Sequence, residues 1–101
     1  MKEAKECQDI HEVRGMIDEI DYQILGLFGK RLECVEAIVK FKTDTDSIVA
    51  KDRQVEVLQK RRAWAKELGL DPDLIAEIYI KLINWNIQKE LELFSNTEKS
   101  L

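Results

Sequence analysis

Positions 10, 13, 17, 20, 24, 27, 31, 34, 38 and 41 recur at intervals of three and four, the spacing of one face of a long α-helix. They hold Ile10, Val13, Ile17, Ile20, Ile24, Leu27, Arg31, Cys34, Ile38 and Phe41. Nine are apolar and the tenth is Arg31. With 36 % charged and 45 % apolar residues, one proline and four glycines, the chain has the profile of a helix-rich soluble protein, and an all-α fold is expected. A guanidinium in the seam keeps its charge, and burying it without a partner is costly. Something anionic, a side chain or a ligand, is expected to meet it.

The helix carrying this seam is expected from about residue 9 to 42, with Asp9 as N-cap and Glu12 completing an approximate capping box. At ~1.5 Å per residue it is roughly 50 Å long, more than the width of a compact domain of this size, so it is expected to pack along a second chain as well as its own. The polar stretch Thr43-Asp44-Thr45-Asp46-Ser47 ends it. A second helix is expected from about 50 to 68, with Val55, Leu58, Arg62 and Ala65 on one side, Val57, Arg61 and Trp64 nearby, and Gly69 past its end. Asp71-Pro72 reads as an N-cap and N1 proline, starting a third helix over about 72–95. That helix carries Leu74, Ile75, Ile78, Leu82, Ile83, Trp85, Ile87, Leu91 and Phe94, and a frayed tail is expected to follow. The reading is a single domain over residues 1–101, a three-helix chain in the order long, short, long.

The net charge of −4 argues against a nucleic-acid partner, since phosphate binding calls for a basic surface. The run Lys60-Arg61-Arg62 is read as a solvated patch. Cys7 and Cys34 have no metal-ligand spacing and give no disulfide signal, which fits a reducing compartment. Cys34 is read as a small hydrophobe of the seam. No apolar run is long enough to cross a bilayer, and the first twenty residues are too charged for a signal peptide. The expected location is the cytoplasm.

Two further cations draw attention. Lys42 follows Arg31 by eleven residues, which on a continuous helix returns it to within about 20° of the same direction, some 16 Å along the axis. Val35 and Ile38 lie between, so the expected arrangement is an apolar floor with a positive group at each end, fit for a small dianion. Arg14 precedes Arg31 by seventeen residues, roughly 25 Å and about 100° round the helix. It cannot reach a small ligand held by Arg31 of its own helix. If Arg14 takes part, it reaches the site of a second copy, as a two-fold dimer allows.

Arg14-x-x-Ile17-Asp18-x-Ile20-Asp21, then Lys30-Arg31, then Phe41-Lys42, resembles the all-helical chorismate mutases of the AroQ class. The likeness is nearer to one branch, the isochorismate pyruvate lyases of bacterial salicylate and siderophore synthesis. Gly29 before Lys30-Arg31, Arg53, Trp64-Ala65, Glu67-x-Gly69-Leu70-Asp71 and Ile83-x-Trp85-x-Ile87 carry that nearer likeness, which runs from about residue 7 to 94. It implies an intertwined homodimer of three-helix chains, with two sites each built from both subunits. It makes Arg31 and a visiting Arg14 the clamps for the substrate's carboxylates and Lys42 the donor to the ether oxygen whose C–O bond breaks. Position 90 is the other group at that oxygen, and Arg53 and Asn86 match secondary positions around the ligand. Many members carry glutamine at position 90, where this chain has Glu90. An ionised carboxylate there repels the oxygen as it gains charge, whereas a protonated one donates to it, so activity is expected to rise toward acid.

The chemistry that the resemblance implies is pericyclic and needs no nucleophile, metal or cofactor. The site holds a dianion in a reactive conformer and stabilises charge on the departing oxygen. Classical mutases place acids near the substrate hydroxyl at positions that here hold Ala50 and Gln54. Their absence favours an isochorismate pyruvate lyase, giving salicylate and pyruvate, with a weaker chorismate mutase activity. A dedicated chorismate mutase, or a non-catalytic helical dimer, are the alternatives. Residues 43–49, between two cationic elements, are a candidate lid.

Overall fold

A computed structural model describes residues 2–99, with side chains described over residues 2–96. All regular structure among them is helical: α1 over Ile10–Ile38, α2 over Thr45–Val49, α3 over Lys51–Glu67 and α4 over Pro72–Lys99. Single 3₁₀ turns stand at Ala4–Glu6 and Val39–Phe41. The chain divides into two compact units, Met1–Cys34 and Val35–Leu101.

In the first unit Asp9 caps α1, its Oδ1 accepting from Glu12 N at 2.9 Å. Glu12 does not close a capping box onto Asp9. Its carboxylate takes Gln8 N at 2.8 Å and the Lys2 ammonium at 2.9 Å. The Cys7 thiol lies 3.3 Å from the sulfur of Met16. No residue of α1 is buried. The apolar seam is present in the order read from the sequence, yet Ile17 is 51 % exposed, Ile24 42 % and Leu27 64 %. Cys34 on the same seam is exposed too.

The second unit is built on α3 and α4, which pack against each other through small side chains. Ala65 of α3 and Ala76 of α4 are buried, which lets the two backbones approach closely. The turn between them is a Schellman closure. Leu70 N donates to Ala65 O at 2.8 Å and Gly69 N to Lys66 O at 3.2 Å, with Gly69 left-handed at φ 73°. Asp71 then starts α4, its Oδ1 accepting from Asp73 N and Leu74 N. An ion pair between Arg62 and Asp73 bridges the two helices.

The structure changes the expected faces and ends. The buried positions of α3 are Val57 and Ala65 with Arg61 half-buried between them, while Val55 is exposed. An arginine can take this interior stripe because its guanidinium lies 4.7 Å from the Trp64 ring and 5.4 Å from the Tyr79 ring, whose faces accept the charge. The first long helix stops at Ile38 rather than near residue 42, tightening into the 3₁₀ turn Val39–Phe41. Lys42 then has extended backbone, φ −90° and ψ 139°, so the eleven-step helical arithmetic from Arg31 does not extend to it. The last helix runs on to Lys99, past the expected end near 95, and the rest of the expected frayed tail, residues 100 and 101, lies outside the described residues.

The stretch read as a polar loop is a short helix. Asp44 caps α2 by accepting from Ser47 N at 2.7 Å, and Ile48 sinks to 2 % exposure, anchoring the segment to the core. Ala50 joins α2 to α3 in the left-handed region, φ 46° and ψ 60°. That conformation costs a residue with a Cβ about 1 kcal/mol, part of which glycine returns as greater freedom in the unfolded chain. Ala50→Gly is therefore expected to raise the thermal midpoint by about 2–5 °C, read by circular dichroism at fixed protein concentration. A midpoint lowered by the change would contradict the strain at this joint.

Candidate active site

The expected site residues divide between the two units. In the first, α1 carries both arginines, Arg14 exposed and Arg31 half-buried. By helix geometry they stand roughly 25 Å apart along one rigid rod.

The second unit holds Lys42, Asn86 and Glu90, with Lys42 near enough for its charge to act on the Glu90 carboxyl. Asn86 and Glu90 are one turn apart on α4, facing the same way. They are 5 % and 7 % exposed, the buried polar residues of a core otherwise made of Val39, Ile48, Val57, Ala65 and Ala76. Carboxylates are rarely buried so fully unless paired. Burial pushes the Glu90 carboxyl above its ordinary range, and the charge of Lys42 opposes that shift. Burial is the stronger influence, so the neutral carboxylic acid, able to donate a hydrogen bond, is favoured at higher pH than in water.

Lys42 is half-buried. Its ammonium donates to Ser47 O at 2.6 Å. It also lines a cleft of about 340 Å³ together with Glu36, Val39, Lys40, Leu93 and Phe94. That volume lies in the range of small-molecule sites. Leu93 and Phe94 sit one turn past Glu90 on α4, so the cleft continues the wall that holds the buried acid.

Arg53 is placed differently from the other expected residues. It is exposed, and its guanidinium donates to Glu56 at 2.6 Å, an i,i+3 surface pair that Lys60 shares. At position 54 the side-chain amide donates to Val49 O at 2.8 Å, closing the C-terminus of α2. By composition alone Ser47 is a turn former. The spacing Asp44-x-x-Ser47 is the signal that could have shown its capping role. Among the described residues no three His, Cys, Asp or Glu side chains are grouped to hold a metal ion, and no helix is long and apolar enough to cross a membrane.

Comparison with known proteins adds to this geometry. The family model for chorismate mutase type II matches residues 13–91. The isochorismate pyruvate lyase of Pseudomonas aeruginosa is 31 % identical over 97 residues, covering 96 % of each chain. The T-protein of Haemophilus influenzae is 36 % identical over 70 residues, 68 % of this chain and 19 % of its own length. The T-protein of Enterobacter agglomerans is 30 % identical over 83 residues, 81 % of this chain and 22 % of its own. All-helical, with a family match across most of its length, this chain belongs to the chorismate mutase type II family and is an enzyme of that kind, an isomerase or a lyase.

Proposed function

We propose that the protein is an isochorismate pyruvate lyase with a weaker chorismate mutase activity, acting in the cytoplasm in salicylate or siderophore synthesis. The observation that carries the reading is the buried Glu90 within the field of Lys42. It supplies a neutral donor and a cationic donor where an ether oxygen gains charge. The near-full-length similarity to a lyase supports the choice of reaction. So does position 54, whose amide is engaged in closing α2 and carries no acid for a substrate hydroxyl. In the reaction the ether C–O bond breaks, one ring hydrogen passes to the enolpyruvyl methylene to make the methyl of pyruvate, and the ring becomes aromatic. No external oxidant, base or water enters the balance.

The proposed assembly is a homodimer with two shared sites, each taking Arg31 from one chain and Arg14 from the other. Arg31 and Arg14 hold the two carboxylates of the substrate, and Asn86 and Arg53 contact its periphery, Arg53 by leaving Glu56. The exposed seam supports the assembly. Covering the bare halves of Ile10, Ile17, Ile20, Ile24 and Leu27 would contribute roughly 4–7 kcal/mol per chain, on the scale of a whole small domain's stability. Free thiols such as Cys7 and Cys34 persist in a reducing compartment.

The test is the product. Isochorismate is expected to give salicylate, followed by its fluorescence, and pyruvate in equal amounts. Chorismate is expected to give prephenate at least about tenfold more slowly, an ordinary ratio for two substrates that differ in the placing of one hydroxyl. Faster loss of chorismate than of isochorismate would make the protein a dedicated mutase.

A further inference from the structure

We propose that Ser47 is a positioning residue for Lys42, holding its ammonium in place before any substrate arrives. The inference rests on the reading of Lys42 as the donor to the departing oxygen. Lys42 stands beyond the end of the helical run on extended backbone, so no helix face fixes its side chain. A lysine side chain gives up more rotamer freedom than almost any other when it is fixed. The Lys42 ammonium donates to the carbonyl oxygen of Ser47 at 2.6 Å. The ammonium has three protons, so one bond to Ser47 leaves two for a substrate oxygen.

That carbonyl is itself held from both sides. On its N-terminal side the Ser47 hydroxyl accepts from Thr43 N and Asp44 N at 3.3 Å each and donates to Asp44 O at 2.7 Å. Ser47 N donates to the Asp44 carboxylate at 2.7 Å. On its C-terminal side Ile48 is buried, and Gln54 holds Val49 O at 2.8 Å. The segment from Lys42 to Ser47 therefore closes on one residue, through its hydroxyl, its amide and its carbonyl. An ordinary N-cap needs only the Asp44–Ser47 amide bond. The hydroxyl's bond from Asp44 N completes a capping box, and its two other bonds, from Thr43 N and to Asp44 O, tie down the residues immediately after Lys42, fixing where its stem begins and where its ammonium ends. A donor arranged in advance needs no reorganisation as charge develops.

Ser47→Ala removes the hydroxyl and leaves the carbonyl, and Ser47→Thr keeps both. For Ser47→Ala, kcat for isochorismate is expected to fall about tenfold while KM stays within about threefold, with helix content unchanged. Ser47→Thr is expected to stay within about threefold of the parent in both constants. A second readout needs no turnover: the nitrogen-15 signal of the Lys42 ammonium in the unliganded full-length protein. It should be resolved and slow to exchange in the parent and in Ser47→Thr, and lost in Ser47→Ala. If Ser47→Ala does not fold, Asp44→Ala against Asp44→Asn serves instead, since only asparagine keeps an oxygen for Ser47 N. An unchanged ammonium signal in Ser47→Ala, an unchanged kcat, or a Ser47→Thr protein as impaired as Ser47→Ala would each overturn the proposal. Failure of the underlying reading looks different. There, Lys42→Ala keeps full turnover, or the parent turns over neither substrate, while the ammonium signal still reports whether Ser47 holds Lys42.

Discussion

Replacing Arg31 by alanine is expected to reduce kcat/KM for isochorismate by about 10²–10³-fold while leaving the helical circular dichroism signal nearly unchanged. Truncating one side of a hydrogen-bonded charge pair in a closed site costs about 2–5 kcal/mol, mostly because the other charge is left without its partner. Alanine is the best helix former, so α1 itself loses nothing by the change. Arg31→Lys should recover little, since an ammonium cannot reproduce the planar two-pronged grip on a carboxylate. The shared-site arrangement has its own signature. Arg14→Ala and Arg31→Ala proteins, each inactive alone, are unfolded together and refolded as a mixture. Half of the resulting dimers are mixed, and one of the two sites in each mixed dimer has both arginines. Recovery of about a quarter of the parent activity is expected. No recovery would mean that each site draws both arginines from one chain. Loss of helix in Arg31→Ala would make the residue structural.

The second large effect is on pH. Burial raises the Glu90 carboxyl and Lys42 only partly offsets it, so under the proposed role of Glu90 the donating, protonated form is lost as pH rises through the raised value. Above it the rate should fall about tenfold per pH unit, and below it the profile should level. Glu90→Gln carries a donor at every pH and should flatten the profile, overtaking the parent toward neutral pH. The same group sets a stability trend. Its pKa is raised on folding, so its contribution is fully present below the unfolded carboxyl value and is lost as pH rises through the folded one. The thermal midpoint of the parent should accordingly fall relative to Glu90→Gln between acid and neutral pH. Parallel midpoints and a flat rate between pH 5 and 8 would remove Glu90 from the chemistry.

Much of this fold is written in local signals. Asp9 and Asp71 as N-caps and Gly69 as a left-handed terminator each act within one turn of helix, so the residues that decide them are neighbours in sequence. The apolar period of α1 is legible for the same reason. What covers it is not, because a period names the face and not its partner, and no residue of α1 is buried. The stripe of α3 is masked in sequence by Arg61, which no count of apolar residues includes and which the ring faces of Trp64 and Tyr79 help to accommodate. The end of α1 at Ile38 and the existence of α2 escaped for another reason. Thr43–Ser47 has the composition of a turn, and the buried Ile48 together with the Asp44 cap holds Thr45–Val49 as helix. Glu90 could be located by family resemblance, but its protonation depends on how deeply α4 sinks it, which is a property of packing.

The bare stripe of α1 bears on how the protein is made. In the order of synthesis this helix precedes α3 and α4, so it leaves the ribosome before the αα-hairpin exists. Ribosomes following one another along a single message carry the same uncovered stripe at close quarters, at a local concentration far above that of released chains. Pairing can begin there, between polypeptides still being elongated. Under the two-fold assembly proposed above, slowing initiation so that ribosomes travel singly would lower the yield of dimer without altering one residue of the product.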